Sequence, residues 1–169
     1  LENIPEYKSY SDETLEKLAD GGDIRALAIL ADKYGGKYDE VSQRKASAAR
    51  TKAAIYGSTY ALEQEAVHYE KLAYLTNDQN KKKAYMIESM AMRKVSVLRG
   101  YPVNYLADLR SPEYKSLKID LNENDFMAIN SAAQNIYNTL LERRQSLGLG
   151  DFDNSVPEIL QRHFDDLDP

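Results

Sequence analysis

Apolar residues recur along this chain at steps of three and four. Glycine and proline interrupt them at only a few places: Gly21-Gly22, Gly35-Gly36, Gly57, Gly100 to Pro102, Pro112, Gly148 to Gly150 and Pro157. Such steps gather side chains on one face of a helix, and the strict alternation that marks a strand is sustained nowhere. The pattern predicts an all-α chain without a sheet. Ser11 caps a first helix that Gly21 ends, Asp23 opens a second reaching about Tyr34, and a third runs from near Asp39 to Tyr56 before Gly57. Ser58 caps a fourth. Neither glycine nor proline occurs from Thr59 to Arg99, and the polar stretch Thr76 to Asn80 divides that span into two long helices expected to pack antiparallel. Pro112 suits the first turn of a short helix reaching Leu117. Phe126, Ile129, Ala133, Ile136, Tyr137, Leu140 and Leu141 then share one helical face. Ser155-Val-Pro-Glu158 has the form of a capping box, opening a last amphipathic helix with Ile159, Leu160, His163, Phe164 and Leu167.

At 169 residues the chain is expected to form a single domain, 1–169, burying about 70% of its unfolded surface. The mean hydropathy of −0.61 argues against immersion in a membrane, and no run of about 18 apolar residues is present. The absence of cysteine excludes disulfides, thiolate metal sites and a cysteine nucleophile. A net charge of −5 supplies no general attraction to nucleic acid. Charge is uneven, however. Lys81, Lys82, Lys83, Arg93, Lys94 and Arg99 oppose only Glu88 between residues 81 and 99, while Asp151, Asp153, Glu158, Asp165, Asp166 and Asp168 make the end of the chain acidic.

The chain also repeats itself. Gly22, Ala26, Ala31 and Tyr34 recur as Gly57, Ala61, Ala66 and Tyr69, 35 residues apart in one register. A period in the mid-thirties corresponds to one helical hairpin per unit. Small alanines let neighbouring helices approach closely, and tyrosines fill the remaining groove. These residues, with Ala53-Ala54-Ile55-Tyr56-Gly57 at the end of a second helix, resemble the Sel1-like repeat, a relative of the tetratricopeptide repeat. The family unit reads Gly-x-x-x-Ala-x-x-x-Leu-Gly-x-x-Tyr followed by Ala-Ala-x-x-Gly. Ala31 and Ala66 replace its second glycine, and Glu65 stands at its leucine. The resemblance spans residues 11–100 and leaves 101–169 as a degenerate repeat, beginning near Pro102 to Leu109, with C-terminal helices packing on it or capping it. It implies antiparallel hairpins stacked as an α-α superhelix. It further implies a concave face, lined by the first helix of each hairpin, that binds another protein or a peptide, often in bacterial assemblies. On that face stand Arg25, Asp32, Tyr60, Glu63, Val67 and Glu70. An exported or periplasmic setting goes with this reading, with the cytoplasm as the alternative. Leu1 in place of Met leads us to expect that targeting information has been trimmed away.

Catalytic and metal chemistry find little support. Glu65-Ala-Val-His68 has the Glu-x-x-His spacing of di-iron bundles, but Leu160 stands three residues before His163, so the required second copy is missing. No Gly-x-Ser-x-Gly elbow or phosphate loop occurs, and Gly148 to Asn154 lacks the glutamate and glycine placement of a calcium loop and reads as a turn. We therefore expect no cofactor, no metal and no enzymatic activity. Of thirteen tyrosines, Tyr34, Tyr56 and Tyr69 lie in the repeat frame and belong to the core, while Tyr7, Tyr10, Tyr38, Tyr60 and Tyr74 are the candidates for exposure. A protein-interaction module is the leading expectation. The first alternative is a ligand-binding protein or enzyme with a pocket of dispersed groups, Glu63, Glu65, His68 and Arg93; the second is a nucleic-acid binder acting through the basic helix 81–99.

Overall fold

The computed structural model describes residues 5–101 and 112–155. Among them the chain is helical, without a strand. Helices run α1 (Pro5–Lys8), α2 (Asp12–Asp20), α3 (Ile24–Gly35), α4 (Glu40–Ile55), α5 (Thr59–Leu75), α6 (Gln79–Leu98), α7 (Pro112–Ser116) and α8 (Glu123–Ser146). The expected third repeat near Pro102 to Leu109 and the last helix with His163 lie outside the described residues.

A short polar side chain stands before almost every long helix and takes up amide hydrogens that the helix itself cannot satisfy. Ser11 accepts from the Thr14 amide, Asp23 from Arg25 and Ala26, Asp39 from Ser42, and Asp78 from Asn80 and Lys81. Ser58 Oγ accepts from the Ala61 amide. Asn122 and Asp125 form a reciprocal capping box that starts α8 three residues ahead of the apolar stripe.

The fold divides into two compact units, Leu1–Ala61 and Leu62–Pro169. In the first, α3 packs on α4 and on α2. Ala26, Leu27, Leu30 and Ala31 of α3 and Ala46, Ala49, Ala53 and Ala54 of α4 are buried. An alanine methyl removes little surface from water, so the gain here comes from close approach of two backbones rather than from bulk. Gly22 shows how close that approach is: it has φ +86°, and a Cβ there would lie 2.0 Å from Tyr56 Cε1. The start of α3 is thus placed against the end of α4, as an antiparallel hairpin requires.

In the second unit α5 and α6 are antiparallel. Glu70 meets Ser89 and Arg93, while Ala73, further along α5, shares a buried cluster with Met86, earlier on α6. Leu117 completes that cluster, with Tyr85, Tyr114 and Ile119 packed around it. Burial pushes the Tyr114 hydroxyl up to about 12, helped by Asp120 and Asp125. Helix α8 lays Ile129, Ala133 and Leu140 against α6, whose Met90, Ala91 and Val95 are buried. Here the pairing rises in step: Lys83 meets Asp125, Lys94 meets Asn130, and Arg99 and Arg144 share the ring of Phe152. Helices α6 and α8 therefore run parallel. Ile136, Tyr137 and Leu141 are half-buried on the expected face, and Phe126 at its head is exposed.

Candidate functional site

On α3, Arg25 and Asp32 are seven residues apart, which places them on one face, and both are exposed opposite the buried alanines. Tyr60, in the first turn of α5, is 42% exposed. Glu63, Val67 and Glu70 are half-buried. Their roles differ. Glu70 Oε1 accepts from Arg93 Nη2 at 2.8 Å and from Ser89 Oγ at 3.1 Å, so its charge serves the α5–α6 hairpin. Glu63 keeps its Oε1 buried with no hydrogen-bond partner among the described residues, which costs desolvation energy within the fold.

Of the dispersed groups Glu63, Glu65, His68 and Arg93, Arg93 is ion-paired with Glu70 across the α5–α6 hairpin. His68 lies against Tyr69, with ring centroids 6.0 Å apart, and Glu65 is buried. Among the described residues no group of three or more His, Asp or Glu side chains is placed to hold a metal ion. Asp151 Oδ1 accepts from Gln145 Nε2 and Asp153 Oδ1 from the Ser155 amide, so the segment from Gly148 to Asn154 uses two of its carboxylates to shape a turn.

The basic stretch 81–99 is drawn inward as well. Lys83 pairs with Asp125 at 2.6 Å, Arg93 with Glu70, and Lys94 with the Asn130 side chain. Arg99 is 5% exposed and lies 3.4 Å from the centroid of Phe152, with Arg144 5.1 Å from the same ring. Burial, and then the neighbouring charge of Arg144, hold the Arg99 guanidinium down at about 10, still protonated at neutral pH. The periodicity gave no sign of this cluster, although Gly100 beside Arg99 is a trace of it. Gly100 has φ +78°, and a Cβ there would lie 2.6 Å from the carbonyl oxygens of Asn154 and Ser155. Asn154 also donates to the Tyr137 hydroxyl at 2.8 Å, tying the segment after α8 to that helix.

Tyr10, Tyr38, Tyr60 and Tyr74 are exposed, as their places outside the repeat frame suggested. Tyr7 is half-buried and donates to Asp23 Oδ2 at 2.7 Å. Tyr34, Tyr56 and Tyr69 are half-buried rather than fully enclosed, because each hydroxyl-bearing ring fills a groove at the helix edge. No helix among the described residues is long and apolar enough to cross a membrane. Comparison with family models, curated proteins and solved structures gives no match.

Proposed function

We propose that this chain is a protein-interaction module of the helical-repeat kind, binding a protein or peptide through the first helices of its hairpins. One observation carries the reading: each first helix buries its repeat-frame alanines, Ala26 and Ala31 on α3 and Ala61 and Ala66 on α5, while Arg25, Asp32 and Tyr60 remain exposed. Exposed tyrosine and arginine side chains are among the residue types most often found as binding hot spots. Stacking of the hairpins as a Sel1-like superhelix belongs to the same proposal. It is supported by the antiparallel pairs α3–α4 and α5–α6, the unit from which a stack of hairpins is built.

The nucleic-acid alternative is weakened by the inward use of Lys83, Arg93, Lys94 and Arg99, which leaves Lys81 and Lys82 for phosphate contact. A pull-down from host extract tests the main reading, using the parent chain beside Arg25→Glu and Tyr60→Ala. A protein retained by the parent and lost from variants that melt normally supports the proposal. Equal recovery on all three contradicts it.

A further inference from the structure

The α5–α6 hairpin carries a glutamate–serine pair twice, and only one copy is complete. In the first, Glu70 Oε1 accepts from Ser89 Oγ at 3.1 Å and from Arg93 Nη2 at 2.8 Å. Glu63 stands seven residues before Glu70 on α5, and Ser96 seven residues after Ser89 on α6. Seven residues make about two helical turns, so each returns to the face of its counterpart. Because the two helices are antiparallel, the register that joins Glu70 to Ser89 sets Glu63 opposite Ser96. Both serines are fully enclosed and both glutamates half-buried, as that correspondence requires.

The second copy lacks its cation. Arg93 follows Ser89 by one turn, but the residue one turn after Ser96 is Gly100, which has no side chain to offer. A Cβ on Gly100 would lie 2.6 Å from the carbonyl oxygens of Asn154 and Ser155, so acceptors rather than a donor take up that space. Arg99, beside it in sequence, lies over the ring of Phe152. Among the described residues Glu63 Oε1 and Ser96 Oγ are buried with no hydrogen-bond partner. Each orphaned atom costs stability within the fold, and at one level of the hairpin the two define a place for a donor.

We propose that Glu63 and Ser96 form a binding site for a guanidinium group, which a ligand supplies in place of the missing arginine. The complete copy shows the fit, since there a guanidinium and a serine hydroxyl meet one carboxylate oxygen. A planar guanidinium carries five donors, enough to serve carboxylate and hydroxyl together, and its charge opposes that of Glu63. A water molecule would satisfy the two atoms but leave the carboxylate uncompensated. Glu63 is half-buried, so the site opens at the edge of the hairpin. The group is borne by an arginine of a peptide or by a small guanidino compound. The site takes nothing from Arg25, Asp32 or Tyr60, so it stands whether or not their face binds a partner.

The test is a titration of the full chain, followed by nuclear magnetic resonance, with acetyl-arginine amide, agmatine and acetyl-lysine amide. The first or second is expected to bind saturably in the millimolar range and to shift the amides around residues 63 and 96. Glu63→Gln should weaken that binding by about tenfold or more and Ser96→Ala by less, while Glu13→Gln, exposed on α2, leaves it unchanged. Both site variants are melted first, and either one that folds suffices for the comparison. Tighter binding of the capped arginine points to a peptide as the source and tighter binding of agmatine to a small molecule; each upholds the site. No saturable binding, shifts confined to other residues, undiminished binding by the variants, or equal binding of acetyl-lysine amide would each overturn the proposal.

Discussion

Gly22 and Ala31 show how much of this fold depends on what single positions lack. A methyl group at Gly22 would strain a backbone with φ +86° and collide with the Tyr56 ring, so Gly22→Ala should cost about 1–3 kcal/mol in a urea titration. Unchanged stability would mean that Tyr56 moves aside freely. Ala31→Leu should cost a similar ~1–3 kcal/mol by overpacking α3, and an unaltered denaturation midpoint would place that side chain at the surface. The repeat frame made both residues legible, since small residues in one register mark close contacts. Arg99, Arg144 and Phe152 were not legible. Their contact joins residues far apart in the chain, and a cation over a ring leaves no period in a sequence.

Helix limits could be read because they are set locally. Ser11, Asp23, Asp39, Ser58 and Asp78 each act within three residues of themselves, so glycine stops and polar caps outline α2 to α6 without knowledge of packing. Helix α1 went unread because four residues show no periodicity, and α8 begins ahead of its apolar stripe because Asn122 and Asp125 start it. Register between helices is different in kind. Arg93 meets Glu70 across the α5–α6 hairpin, a pairing that depends on how far one helix slides along the other.

Two measurements belong to this scale. Glu70→Ala leaves Arg93 and Ser89 without this acceptor and should destabilise the chain by about 1–3 kcal/mol; a smaller loss than for an exposed control such as Glu13→Ala would remove the pair from the hairpin's support. For Asp23, burial pushes the carboxyl up, but hydrogen bonds from Ala26, Tyr7 and Arg25, with the charge of Arg25, together hold it below its ordinary 3.8. A carboxyl lowered by folding stabilises above its unfolded value, and that contribution is lost as pH falls through the folded one. The melting temperature should therefore drop below about pH 4, and Asp23→Asn, which keeps a capping oxygen, should flatten part of that drop. Identical acid limbs for the two proteins would show that Asp23 carries none of it.

For the whole molecule, the proposal rests on a division of labour within each first helix: one side buried for packing, the other left free for a partner. Glu70 is engaged with Arg93 and Ser89 inside the fold, while Arg25, Asp32 and Tyr60 stay exposed, so the proposal is tested at those three positions first. Once a partner has been recovered, calorimetric titration against the parent, Arg25→Glu and Tyr60→Ala is the most direct test. The account predicts that each variant melts like the parent and binds more weakly by about 1–4 kcal/mol. Full-strength binding by both variants, with normal melting, would contradict it.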